Sequence, residues 1–257
     1  MKELTVIKIG GNIVDKPTAL EVFLKDFSKY PDPKILIHGG GVLASDLSVK
    51  MGIKVKMRNG RRITDLDTLK LVTMVYAGWI NKSIVAMLQK FGCNAIGLSG
   101  ADGDLVPATK RSPDPIDFGY VGDITPADIN SGLLQSLLGR GITPVFCAIT
   151  HDRNGSLLNT NADTMASNLA ISLSSDYYTR LIYCFEKEGV LFNQEDPDSI
   201  VPLITRSNYQ TLKESGAITG GMLPKLDNAF AAIESGVSEV YIKHASNLGN
   251  NKGTVLK

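Results

Sequence analysis

Leu4-Thr5-Val6-Ile7-Lys8-Ile9-Gly10-Gly11 decides how this chain folds: an apolar run with one cation near its end that breaks into two glycines. Short apolar runs bounded by glycine suit a strand buried on both faces, and open α/β sheets place ligands just beyond the carboxyl ends of their strands. Lys8 sits at that end. A single strand-end lysine ordinarily reaches for water, so its reading depends on what the rest of the chain brings beside it.

Outward from this stretch, Thr18-Ala19-Leu20-Glu21-Val22-Phe23-Leu24 is helical, Pro31 and Pro33 end the helix, and Lys34-Ile35-Leu36-Ile37-His38 is a second strand. Together they form one β-α-β unit. Gly39-Gly40-Gly41 then opens into a helical pattern through Leu43, Leu47 and Met51. A glycine run there presents amide N–H groups at a helix amino terminus, which suits phosphate or carboxylate, although it serves equally as a tight turn. Thr64 begins the longest helix, with Thr64-x-x-Asp67 as a variant capping box and Gly92 as its stop. Its apolar residues run from Leu66 through Trp79 to Leu88, a band wider than one core face requires. The expected second partner is another copy of the chain, a homodimer built on this helix; the alternative is cover from both sides by the same chain.

Asn94 to Ser99 reads as the next strand, and residues 102–124 alternate short strands with turn signals, as in hairpins that form a lid. A helix from Pro126 to Leu138 precedes a strand from Thr143 to Ile149. A strand over Arg180 to Phe185, helices near Ser207–Ser215 and Met222–Ser235, and a last strand over Glu239 to Ile242 follow. This alternation predicts an α/β protein, a three-layer sandwich around a mainly parallel open sheet. The weakest link is Ser174-Ser175-Asp176, which predicts two lobes, 1–175 and 176–257.

Composition removes several classes of function. The chain has 257 residues, 43% hydrophobic and 21% charged, enough to bury a large core. A net charge of +1 gives no electrostatic case for nucleic acid or an anionic membrane. No apolar segment reads as a membrane span, and the first strand begins too early for a signal-peptide layout, so a cytoplasmic location is expected. Cys93, Cys147 and Cys184 lie far apart in apolar runs, and His38, His151 and His244 lack ligand spacing, so neither a disulfide framework nor a zinc or haem site is expected.

The second half supplies the partners that Lys8 needs. In Asn159-Thr160-Asn161-Ala162-Asp163, Asn161 is placed to cap a helix marked by Met165, Leu169 and Leu173, and Asp163 falls in its first turn, where the macrodipole favours an acid. Ile218-Thr219-Gly220-Gly221-Met222-Leu223-Pro224-Lys225 starts another helix. A cation in that first turn opposes the dipole by about 0.3 to 1 kcal/mol, a local disagreement of the kind functional positions show. Two lysines at loop edges, one carboxylate able to hold them and two glycine-rich turns describe a site for a highly charged phosphate. Phosphoryl transfer needs positioning and charge neutralisation above all. The chain lacks both the P-loop pattern GxxxxGK[ST] and the protein-kinase signatures.

Five stretches carry a resemblance. Lys8-Ile9-Gly10-Gly11, His38-Gly39-Gly40-Gly41, Arg58-Asn59-Gly60-Arg61-Arg62-Ile63-Thr64, Asn159-Thr160-Asn161-Ala162-Asp163 and Gly220-Gly221-Met222-Leu223-Pro224-Lys225 occur in this order over nearly the whole chain. The combination resembles the acetylglutamate kinases of the amino acid kinase superfamily. The resemblance implies that fold, and transfer of phosphate from ATP, arriving with Mg2+, to the side-chain carboxylate of an N-acyl-L-glutamate, acetyl or succinyl, in arginine biosynthesis. Carried over by position, Lys8 and Lys225 would stabilise the phosphoryl group in flight and Asp163 would orient both lysines. Gly40 and Gly41 would donate amides to the acyl glutamate, Arg62 and Asn159 would hold its α-carboxylate, and Gly10, Gly11, Gly220 and Gly221 would approach the nucleotide. The first lobe would bind the acyl glutamate and the second the nucleotide.

Departures from the pattern set the alternative. Where the family has D-V-x-G after the strand opening its nucleotide lobe, this chain has Cys184-Phe185-Glu186-Lys187-Glu188-Gly189, and a segment from Ser246 to Thr254 replaces a longer helix. The alternative reading is a catalytically silent nucleotide-binding or regulatory member. The amino-terminal helix with which arginine-inhibited hexamers assemble is also missing, so the chain resembles the dimeric, arginine-insensitive type. A succinyl group would need its own cation, for which Lys54, Lys56, Arg58, Lys110 and Arg111 are candidates.

Overall fold

The computed structural model describes residues 1–58, 61–193, 195–196, 198–214 and 222–257, with the backbone alone at Pro224. In chain order the first elements are strand β1 (Lys2–Ile9), helices α1 (Gly11–Val14) and α2 (Pro17–Lys29), β2 (Lys34–His38), α3 (Gly41–Lys50), and the antiparallel pair β3 (Met57–Arg58) and β4 (Arg61–Arg62). Next come α4 (Leu66–Thr73), a π-helical stretch Met74–Ile80, α5 (Asn81–Lys90) and β5 (Ala95–Leu98). The stretch expected to form a lid contains the short pair β6 (Thr109–Lys110) and β7 (Gly122–Asp123). Then follow α6 (Ser131–Gly139), β8 (Thr143–Cys147), the pair β9 (Ile149–His151) and β10 (Leu157–Asn159), and α7 (Ala162–Leu173). The last elements are β11 (Tyr177–Phe185), β12 (Leu203–Ile204), α8 (Arg206–Glu214), α9 (Met222–Glu234), β13 (Glu239–His244) and β14 (Thr254–Leu256).

Eight strands make one sheet in the order β12-β14-β13-β11-β1-β2-β8-β5. Every neighbouring pair is parallel except β13 with β14. The expected sandwich is present, and β1 lies near its middle. The chain leaves β1 toward β2 on one side and returns to β11 on the other, so the carboxyl end of β1 is a switch point where an open α/β sheet forms its crevice.

The period of two along β1 sorts its side chains between two cores. Leu4 and Val6 join the core made with α6, α7 and α9, whereas Ile7 and Ile9 join the one made with α2, α4 and α5. Lys8 shares the parity of Leu4 and Val6 and therefore leaves the sheet on the α7 and α9 side. The boundary expected at Ser174 to Asp176 falls in the turn between α7 and β11, and the sheet continues unbroken across it.

Several local expectations need correction. Helix α4 is capped by Asp65, whose side chain accepts from the Thr68 amide, and not by Thr64. Thr64 is instead fully buried, with its hydroxyl directed to the Arg62 carbonyl at 3.1 Å. The long helix runs from Leu66 to Lys90 and, by length and composition, is apolar enough to cross a membrane, contrary to the reading that no segment was. Its Leu71, Val72, Ile80, Ile84 and Leu88 are buried in the core of this protein. The hairpin β9–β10 and the strands β12 and β14 at one end of the sheet have two or three residues each, too few for periodicity to reveal.

Candidate active site

The site grows from the ends of three strands. At the end of β1, Gly10 donates its amide to the Cys184 carbonyl at 2.9 Å, which ties the turn after β1 to β11. At the end of β2, Gly40 caps α3 with φ of 155°, and a Cβ there would collide with Ile80 Cδ1 and the Tyr76 ring. Only glycine gives the backbone this path. At the end of β10, Asn161 caps α7 by accepting from the Asp163 and Thr164 amides at 2.8 and 3.0 Å, so Asp163 lies in the first helical turn.

This arrangement brings Lys8 Nζ to 2.6 Å from Asp163 Oδ1, with side chains 15% and 26% exposed. Burial works against a charged Asp163, but the Lys8 ammonium, through its charge and hydrogen bond, and the charge of Lys225 outweigh it and hold the carboxyl below its usual range. Lys225 Nζ stands 4.6 Å above the centre of the Phe185 ring, a cation–π contact that fixes the second ammonium. Lys8, Gly10, Gly11 and Lys225 line one cleft of about 570 Å³.

A smaller chamber of about 200 Å³ joins that cleft through Gly39, Gly40, Gly41 and Arg62 and is lined further by Asn159 and Tyr76. Arg62 Nη2 donates to the Gly41 carbonyl at 2.9 Å and to Ser45 Oγ at 2.7 Å, while Nη1 is buried without a hydrogen-bond partner. An unpaired buried guanidinium donor is costly and marks where a carboxylate would sit. Asn159 is held by its side-chain bond to Thr64 Oγ1 at 3.0 Å and its amide bond to the Tyr120 carbonyl at 2.9 Å.

A cleft with two ammonium groups joined to a chamber with one free guanidinium arm can bind two anions, a polyphosphate and a carboxylate. Among the described residues no group of three or more His, Cys, Asp and Glu side chains is arranged to hold a metal.

The amino acid kinase family model matches residues 3–244. The chain belongs to the amino acid kinase family. It is 50% identical over 258 residues to the acetylglutamate kinase of Phocaeicola vulgatus, covering 100% of both chains. With the acetylglutamate kinase of Cytophaga hutchinsonii it shares 52% identity over 249 residues, 96% of this chain and 94% of that one. A crystal structure from Streptococcus mutans superposes with a TM-score of 0.81 at 29% identity, covering 100% and 99% of the two chains. The carbamate kinase of Giardia lamblia bound to AMP-PNP shares the fold, with a TM-score of 0.69 at 16% identity over 99% and 98%.

Of the residues expected from sequence, this amino acid kinase places Lys8, Asp163, Lys225, Gly10, Gly11, Gly40, Gly41, Arg62 and Asn159 around the two connected chambers. Gly220 and Gly221, with Asn59 and Gly60, lie outside the described residues. Of the five candidate partners for a longer acid, Arg111 reaches the small chamber but is engaged by Asp123 through both Nε and Nη2. Lys56 lies near Asp65 at 3.9 Å, and Lys110 covers the Tyr120 ring at 4.9 Å.

Phe185, Tyr76, Ser45 and Asn81 escaped the sequence reading. Phe185 carried a usable signal, since it lies in the Cys184–Gly189 stretch that departs from the family pattern; the other three sit inside ordinary helical patterns.

Proposed function

We propose that this chain transfers the γ-phosphoryl group of ATP to the side-chain carboxylate of N-acetyl-L-glutamate, forming an acyl phosphate in arginine biosynthesis. The observation that carries the reading is the Lys8–Asp163 pair, whose lysine lines a cation-lined cleft that joins a carboxylate-sized chamber. Full-length identity of about half with acetylglutamate kinases supports the choice of acceptor.

In this reading Arg62 Nη1 and the Asn159 amide hold the α-carboxylate, which leaves the side-chain carboxylate beside the Gly40 and Gly41 amides. That carboxylate has an ordinary pKa near 4.3 and is already an ionised nucleophile at about pH 7, so no general base is required. Its oxygen forms a bond to the γ-phosphorus as the bond to the bridging oxygen breaks, and ADP leaves with the electron pair; no proton moves. Lys8 and Lys225 offset the charge on the phosphoryl oxygens during transfer. Asp163 stays ionised and keeps both ammonium groups from turning to solvent. Mg2+ would come on the nucleotide, held largely by phosphate and water. Gly10 and Gly11 permit close approach of the phosphates.

In the same reading residues 1–175 take the acyl glutamate and 176–257 the nucleotide, with Lys8, Gly10 and Gly11 of the first lobe meeting the phosphates. The long helix leaves Leu66, Met74 and Trp79 exposed, Trp79 at 71%, which supports a homodimer through this face. The chemistry and the relatives fit a cytoplasmic enzyme. ADP release measured with ATP and either N-acetyl- or N-succinyl-L-glutamate tests the reading. Faster kcat/KM for the acetyl substrate is expected; no release with either would leave a catalytically silent nucleotide-binding member, and preference for succinyl would move the substrate assignment.

A further inference from the structure

His38 precedes the glycine turn and is fully buried. Its Nδ1 lies 2.8 Å from the Gly39 carbonyl oxygen, which can only accept, so Nδ1 carries the proton. Its Nε2 lies 3.0 Å from Asn81 Nδ2. That same Nδ2 donates to the Val145 carbonyl at 2.9 Å, which fixes the orientation of the Asn81 amide and leaves its other hydrogen for His38 Nε2. The imidazole is thus locked as the neutral Nδ1–H tautomer. Burial keeps it so, pushing its pKa down to about 4, with Lys82 acting in the same direction.

The consequence passes through one peptide plane. In a trans peptide the C=O of one residue and the N–H of the next point in opposite directions, so holding the Gly39 carbonyl against His38 turns the Gly40 N–H away from His38. Gly40 lines both chambers, and as the cap of α3 it gives its N–H to no turn of that helix. Tyr76 and Ile80 crowd the same turn, leaving no room for a Cβ at Gly40. These two residues belong to the π-helical stretch that ends immediately before Asn81. A π-helical turn widens the helix, and such turns recur at functional sites; here it delivers Tyr76, Ile80 and Asn81 to one glycine turn.

We propose that His38, held by Asn81, is a positioning residue that fixes the Gly39–Gly40 peptide so that the Gly40 N–H is aimed at the acceptor carboxylate. The inference rests on the acyl-glutamate kinase reading for the identity of that acceptor. His38 touches no substrate and moves no proton.

His38→Asn and His38→Gln provide the test, because the Asn amide nitrogen falls near the place of Nδ1 and the Gln amide nitrogen near that of Nε2. H38Q should lower kcat about tenfold or more, given that losing a preorganised donor costs about 10²–10³, with KM for ATP unchanged. H38N should recover most of that activity, with the pH profile of the wild type. Equal losses in H38N and H38Q, or full activity in H38Q, would overturn the proposal. So would an ionisation near neutral pH that is present in the wild-type kcat profile and absent from that of H38N. The Gly39 carbonyl 13C resonance in the unliganded protein gives a readout independent of activity: it should shift in H38Q and stay in place in H38N, and a shift of similar size in both would contradict the role. A wild-type protein with no kinase activity would refute the functional reading alone, since the carbonyl resonance would still decide what His38 does.

Discussion

Replacing Lys8 by alanine separates catalysis from folding. On the folding side, the Lys8–Asp163 pair is 2.6 Å long, with both side chains mostly shielded. Exposed pairs contribute about 0 to 1 kcal/mol, and truncating one partner of a fully buried pair costs about 3 to 5. A partly shielded pair that keeps Lys225 nearby should lose about 1 to 2 kcal/mol between those limits. On the catalytic side, removing one preorganised group that stabilises transition-state charge costs about 10²–10³ in kcat, or roughly 2.7 to 4 kcal/mol. Lys8→Ala should therefore lose more in turnover than in stability, measured as ADP release at saturating substrates and as urea unfolding. A further consequence separates charge from packing. In the single variant Asp163 still turns its negative charge toward the phosphoryl group, so Lys8→Ala with Asp163→Asn should be less impaired than the product of the two single losses. A kcat within threefold of wild type in the single variant, at unchanged stability, would refute the reasoning.

Three other outcomes are expected. Arg62→Met removes the unpaired buried donor of the small chamber and should raise KM for the acyl glutamate by about tenfold or more while leaving KM for ATP near wild type; substrate titrations of both separate the two. Gly40→Ala must place a methyl group against Ile80 and Tyr76 at positive φ, so it should lose about 1 to 3 kcal/mol to strain together with most of the activity, seen in unfolding and kinetic measurements on one preparation. Stability should also fall with acid in two stages. Burial lowers the folded pKa of His38 to about 4, so the unfolded chain takes up that proton first, and the contribution of neutral His38 is complete above about pH 6.5 and lost from there toward pH 4. Asp163 is held below its ordinary 3.8, so its contribution is present above that value and lost as the pH falls through the folded one. Melting temperatures against pH should lose the first stage in H38N and the second in Asp163→Asn.

The main sheet was legible because β1, β2, β8 and β11 contain apolar runs buried on both faces. The central pair was legible for a different reason: Asp163 and Lys225 occupy first helical turns, and the lysine's conflict with the helix dipole gives it away. What stayed hidden depends on distance in space. Nothing in the spacing of His38 and Asn81 says that they meet, and the π-helical stretch that brings them together has the apolar pattern of an ordinary helix. Arg62 could be named as a carboxylate ligand by resemblance, but its free Nη1 emerges only when Gly41 and Ser45 take the other nitrogen. The cap of α4 was misplaced by one residue because Thr64 and Asp65 are both competent caps, and burial of Thr64 under Asn159 decides between them.

The central claim, that this site phosphorylates the side-chain carboxylate of N-acetyl-L-glutamate, is tested most directly by trapping the product. Incubation with ATP, Mg2+, N-acetyl-L-glutamate and hydroxylamine should yield the γ-hydroxamate in step with ADP, and free L-glutamate should yield far less. ADP formation without hydroxamate, or hydroxamate formed equally well from unacylated glutamate, would contradict the account.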